Sequence, residues 1–343
     1  MSKKRKRETD MNNSIGHNKK RLLIYGIGAA LILSVPLLFI NIQYLILVAC
    51  FVLIYTIAVS GLDILFGYSG QISMGHAAFF AIGAYGSVLM NKYFHIPVFV
   101  TMFLGAALGG LIAAILAYPA SKLVFHFLSL ATIAFGEIVY GLLIHSPNGI
   151  TGNTVGLYTE SVTLFGYEIN TYTSFFYFGL ALMALFLLAK KMIIDSKTGR
   201  AFIAIRENTH AADGMGINVR KYKVIAFAMS GFYAAFAGAM YAHLTKYIGP
   251  DTFTNKQSVL FITMLLFGGT GSIVGPVIGC ITLLSITEFL RSAQNYMMII
   301  YSALMLIVIV ALPGGVYGTI KEIIARFAKK RKNALTGGES PHA

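Results

Sequence analysis

Charge is what this sequence has least of. Only 12% of its 343 residues are Asp, Glu, Lys or Arg, while 57% are hydrophobic and the mean hydropathy is +0.72. That is too little polar residue to cover a soluble globule of this size, so the chain reads as an integral membrane protein. Cysteine is nearly absent. Cys50 and Cys280 both lie in apolar runs without CxxC spacing or neighbouring ligands, and they read as small hydrophobes rather than as a disulfide or a metal site. There is no Gly-x-x-x-x-Gly-Lys phosphate loop and not even a Gly-Lys dipeptide, so ATP is not bound by that device. An H-E-x-x-H zinc motif and a serine nucleophile elbow are also missing. The expectation is a chain that is not an enzyme, with no catalytic residue, metal or cofactor of its own.

Acids are scarcer than bases, 13 against 27, which leaves a net charge of +14. Such a balance would point to nucleic acid if the basic residues formed one patch. Instead they gather in the first 21 residues, at Lys122, between residues 190 and 223 and between 321 and 332. Those are the places that the positive-inside rule fills, so membrane lipid is the expected partner and nucleic acid is not. The run Lys3 to Arg7, KKRKR, is read likewise as part of a basic cytoplasmic tail.

Residues 1–21 are polar and rich in Asn, Lys and Arg, which predicts a disordered cytoplasmic tail. Residues 22–40 are long enough to cross about 30 Å of hydrocarbon and lack an A-x-A-like cleavage site, so they read as a retained span. Further spans are predicted over 44–62, 77–90, 97–118, 123–144, 173–189 and 224–243. A glycine-broken pair follows over 258–267 and 274–289, and a last span over 296–312. Gly105, Gly109 and Gly110 would let helices approach closely in lipid. Residues 145–172 carry no Lys or Arg and read as external. The expectation is an all-α integral membrane protein of about 8–10 transmembrane helices, residues 22–318, with both termini cytoplasmic. The tail 319–343 is basic, and Ile320, Ile323, Ile324 and Phe327 at helical spacing make it amphipathic on the inner leaflet.

The longest polar stretch between apolar blocks is 190–223, with eight Lys or Arg against Asp195, Glu207 and Asp213. It reads as a cytoplasmic loop holding short helices over 201–205 and 211–215, with Gly214 and Gly216 as C-terminal caps. Such a loop is either a docking surface for a partner or a solvated basic turn.

Two glycine-rich interruptions resemble each other: residues 67–72, GYSGQI, and residues 268–273, GGTGSI. Non-helical backbone at membrane depth must line protein or a cavity, so paired breaks point to a transport pathway. Among ionisable groups within or near spans, Asp63 and Glu288 close helices, His76 and Arg291 lie near span ends, and Glu137 sits mid-span. A proton-coupled carrier would use Glu137 as its relay, whereas a permease driven from outside would use it structurally.

Several motifs then carry a family resemblance. Arg206-Glu207-Asn208 with Ala211-Ala212 and residues 216–219, GINV, are similar to the permeases of branched-chain amino-acid ABC importers, LivM type. So are residues 67–76, GYSGQISMGH, residues 132–137, TIAFGE, residues 268–276, and residues 312–315, LPGG. The resemblance covers residues 42–318 and implies the ABC importer permease fold. It implies an EAA-type coupling loop in which Arg206, Glu207, Asn208, Ala211, Ala212 and Gly216 seat in a cleft of an ATPase. It also implies a path lined by Gln71, Ser73, Thr270 and Ser272, whose neutral polar groups suit a zwitterion.

The implied partners are a homologous second permease, two ABC ATPase subunits carrying ATP and Mg, and an extracytoplasmic binding protein, at a bacterial cytoplasmic membrane. The sequence departs from the family at Lys122 and the LVFHF run after it. It departs also at Asp213-Gly214, where Gly costs a helix about 1 kcal/mol relative to Ala. The alternative is a stand-alone proton- or ion-coupled carrier using Glu137.

Overall fold

The computed structural model describes residues 42–121, 125–164 and 167–289, with isolated positions at 36, 299, 303, 306, 315, 316, 318 and 319. The helices among them are α1 (Gln43–Asp63), α2 (His76–Phe94), α3 (Val98–Ala120), α4 (Phe125–Ile144), α5 (Tyr172–Asp195), α6 (Lys197–Glu207), α7 (Thr209–Gly214), α8 (Val219–Thr245), α9 (Asn255–Gly268) and α10 (Gly275–Phe289). A π-helical turn, Ile64–Tyr68, continues α1 directly. Among the described residues, five segments are long and apolar enough to cross a membrane: Gln43–Tyr68, Val98–Ala120, Phe127–Ile144, Tyr172–Asp195 and Val219–Thr245. The molecule is an all-α integral membrane protein. Apart from those isolated positions, the spans expected at 22–40 and 296–312 and both polar tails lie outside the described residues, as do Lys122, Arg291 and the side chain of His126.

Small residues decide which helices touch. A Cβ on Gly83 of α2 would lie 1.8 Å from the carbonyl oxygen of Ala235 on α8, and one on Gly238 of α8 would lie 1.8 Å from that of Phe80 on α2. Gly109 of α3 meets Ala235, and Gly231 of α8 meets Ala113 of α3. Lipid tails are as apolar as leucine, so close backbone approach and dispersion hold such helices together. The result is a core of α2, α3 and α8, with Ala234, Ala237 and Ala239 fully buried. α1 joins it through an aromatic layer in which Tyr55 and Phe80 both pack on Phe261 of α9.

The two ends of this bundle differ. At one end, β1 (Leu157–Tyr158) pairs with β4 (Tyr247–Ile248), and β2 (Val162–Leu164) pairs with β3 (Tyr167–Ile169), all antiparallel. His243, near the end of α8, ties this strand end down by bonding to Ser87 and to the carbonyl of Glu160. The opposite end carries α6 and α7.

α9 and α10 pack as a tight antiparallel hairpin, in which a Cβ on Gly279 would lie 1.9 Å from the Met264 oxygen. With 14 and 15 residues they are each about 21–23 Å long, short of the roughly 30 Å of a hydrocarbon core. Tyr44, at the strand end of α1, donates to Glu288 of α10 at 2.6 Å.

Candidate functional site

Both glycine interruptions leave the helix, and they meet at the α6 end of the bundle. The first, residues 69–75, follows the π-turn and leads into α2; the second, residues 269–274, joins α9 to α10. Gly70 and Gly271 hold the same place in the repeated pattern, and both adopt φ of +70°. Side chains with a Cβ rarely take that left-handed geometry, and Gly takes it without penalty.

Asp63, the last residue of α1, lies at the centre. It is fully buried, and its Oδ1 accepts from the backbone N–H of Gly271 at 2.7 Å. Its Oδ2 accepts from Lys190 Nζ at 2.7 Å, in an ion pair whose two side chains have no exposure. Lys190 also donates to the carbonyl of Ser272 at 3.0 Å and lies 5.8 Å from the ring centre of Tyr68. A buried charge in lipid is tolerated only when paired and hydrogen-bonded, and here both conditions are met. Gly67 stands one turn beyond Asp63 because a Cβ there would lie 2.0 Å from the Asp63 carboxylate and 2.5 Å from the Gly271 nitrogen.

Arg206, from the end of α6, closes the arrangement. Its Nη1 donates to the carbonyl of Gly67, and the rest of the side chain lies along Gly70, whose Cβ would sit 3.1–3.4 Å from it. The same Nη1 lies 3.4 Å from the position of a Gly271 Cβ. One side chain therefore lies against both breaks, its stem on Gly70 and its guanidinium beside Gly271, while the residue as a whole remains exposed.

The expected pathway residues fall into two groups. Gln71 and Ser73 are buried and bonded internally: Gln71 donates to Ser69 at 2.6 Å, and Ser73 bonds His76 at 3.0 Å. His76 bridges on to Ser230 of α8 at 2.6 Å. Thr270 and Ser272 are only half-buried, and Ser272 Oγ accepts from the N–H of Gly275 at the start of α10.

Of the loop residues, Asn208 caps α7 through Oδ1, accepting from the N–H groups of His210 and Ala211 at 3.0 Å each. Gly216 has φ of +83°, and α7 ends there with the Ile217 N–H bonded to the Ala212 oxygen and the Gly216 N–H to the Asp213 oxygen. That is a Schellman ending, so Gly216 supplies the cap while Gly214 lies inside the helix. Ala212 is buried; Glu207 and Ala211 are exposed.

Glu137 does not face the bundle interior. It is exposed on α4 and accepts from Asn255 at 2.6 Å, with Tyr140 donating nearby to Asp251 at 3.2 Å. Sequence reasoning placed Lys190 at the start of a polar cytoplasmic loop, but α5 continues to Asp195 and carries Lys190 into the interior. The apolar run Met192, Ile193 and Ile194 behind the two lysines was the available signal.

A multi-pass helical bundle with paired glycine breaks and an ordered helical loop at one end is consistent with a membrane permease. A family profile described as branched-chain amino acid transport system / permease component matches residues 44–309, and the chain belongs to that family. It is similar to the high-affinity branched-chain amino acid transport system permease protein LivM of Escherichia coli (strain K12), 28% identical over 316 residues, covering 85% of this chain and 73% of that one. The protein of the same name from Salmonella typhimurium is 28% identical over 292 residues, covering 78% and 68%. The ribose import permease protein RbsC of Escherichia coli (strain K12) is 27% identical over 223 residues, covering 60% and 65%. No solved structure matches the chain.

Proposed function

We propose that this permease component serves an ATP-driven importer of branched-chain amino acids, or of related small polar solutes, and couples to separate ATPase subunits through α6 and α7. In this reading the loop and both termini face the cytoplasm of a bacterial cell. The chain works beside a homologous permease, with two ABC ATPase subunits holding ATP and Mg and an extracytoplasmic binding protein. The substrate class rests on what the LivM relatives are named for. The similarity to a ribose import permease is why the reading also includes related small polar solutes.

The observation that carries the coupling reading is the two-faced character of the α6–α7 pair. One face is buried on the bundle through Phe202, Ile205 and Ala212. The other presents Glu207, Ala211 and the large apolar side chains Ile203 and Met215, the last 83% exposed. A merely solvated turn has no need of capped helices, an anchored face and exposed apolar residues together. Beside α7 runs an open polar groove of about 630 Å³, lined by residues that include His210, Asp213, Asn218 and Arg220.

The test is uptake of labelled leucine into proteoliposomes holding the chain with its partners, intact or carrying Glu207→Ala with Gly216→Trp. Uptake that requires ATP and binding protein, and that is lost in the loop variant while the chain still assembles, supports the reading. Uptake by the lone chain that follows a pH gradient and is lost in Glu137→Gln overturns it.

A further inference from the structure

We infer that Arg206 is the positioning residue through which the loop moves the pathway, with the buried Asp63–Lys190 pair as the fixed joint against which it acts. This rests on the importer reading above and adds a route by which loop movement reaches the membrane. α5 passes through the Ser196 cap into α6, and α6 passes through the Asn208 cap into α7, so the helices form one articulated arm. That arm grips the same junction twice. Before the turn, Lys190 of α5 holds the Asp63 carboxylate and the Ser272 carbonyl. After it, Arg206 of α6 holds the Gly67 carbonyl and lies on Gly70 and Gly271. Asp63 closes the ring by taking the Gly271 N–H.

The two grips differ in kind. The lysine grip is dry, paired and fully buried, and breaking such a pair is costly. The arginine grip sits at the rim, on a residue exposed to the cytoplasmic face, and it engages main-chain carbonyl and glycine rather than a counter-charge. A rim contact of that kind can be drawn away and returned without leaving a charge stranded in lipid. A push on α6 would therefore reach both breaks together, because one side chain lies against Gly70 and Gly271, while α5 stays locked to α1. Glycine at 70 and 271 lets the segments change φ and ψ as they yield.

The experiment uses the whole reconstituted complex and reads three quantities: ATPase retained on purification, ATP hydrolysed, and labelled leucine taken up. Gly70→Ala leaves every α6 and α7 side chain in place but crowds the Arg206 stem. In it, ATPase subunits are expected to stay bound and hydrolysis to stay within about two-fold, while leucine moved per ATP falls about ten-fold or more. Arg206→Ala should lower the same ratio, and Arg206→Lys, which keeps a donor, should recover most of it. Loss of the ATPase from Arg206→Ala would make Arg206 a docking contact and overturn the inference. An unchanged ratio would overturn it too, as would failure of both Arg206→Ala and Gly70→Ala to accumulate, which would make the contact one of folding. A wild-type complex that imports leucine without ATP would instead sink the importer reading itself.

Discussion

The two glycine breaks echo each other in sequence and share a φ of +70° at the matching glycine, yet they are held in different ways. The first is tied by side chains. Ser73, His76 and Ser230 form a buried chain, Gln71 bonds Ser69, and the Met74 N–H donates to Thr132. The second is tied mainly through its own backbone. The Gly271 N–H and the Ser272 carbonyl are taken by Asp63 and Lys190, and its outer side remains half-exposed. A repeated motif thus supplies one anchored segment and one open one. Thr270 and Ser272 lie half-buried in the open segment, with Ser272 Oγ accepting from the Gly275 N–H, whereas Gln71 and Ser73 are buried and engaged internally.

The largest effect should come from removing one member of the shared joint. Lys190→Met strands the Asp63 carboxylate in a dry interior and should cost about 3–5 kcal/mol, read as lost folded protein in detergent or nanodisc denaturation. Next come the glycines. Gly67→Ala puts a methyl group 2.0 Å from the Asp63 oxygen, and Gly75→Ala puts one 2.1 Å from the Thr132 carbonyl. Both should lose about 1–3 kcal/mol through overpacking.

Gly70→Ala and Gly271→Ala share a backbone penalty of about 1–2 kcal/mol, so their melting temperatures should fall alike. The smallest pair separates the two segments by function. Ser73→Ala should lose about 1 kcal/mol of stability with little change in KM. Thr270→Ala should keep stability and raise the KM for leucine about three-fold. The reverse outcome would exchange the roles of the two breaks.

Much of this was legible in the residues. The breaks announce themselves because Gly interrupts apolar runs, and the loop does so because polar, capping-competent residues have no other use between spans. The lines of close packing at Gly105, Gly109 and Gly110 could also be read, since small residues are what permit helices to touch. The buried ion pair was not legible, because Asp63 and Lys190 lie 127 residues apart and Lys190 adjoins Lys191, an exposed residue of the same type. One-dimensional patterning cannot say which of two adjacent lysines turns inward. The role of Glu137 was not legible from its mid-span position, which left a relay and a structural part both open; helical phase exposes it on α4, where it accepts from Asn255. Of the capping glycines, Gly216 rather than Gly214 takes the left-handed turn, which is a matter of one hydrogen-bond register.

The central claim is that Asp63 and Lys190 form a single joint holding the second break against the end of α1. A double-mutant cycle tests it most directly: wild type, Asp63→Asn, Lys190→Met and the double variant, each unfolded in nanodiscs. Each single change should cost about 3–5 kcal/mol, and the double should fall short of their sum by at least about 2 kcal/mol, because it leaves no stranded charge. Strictly additive losses would contradict the claim, and Asp63 and Lys190 would then hold the second break independently of each other.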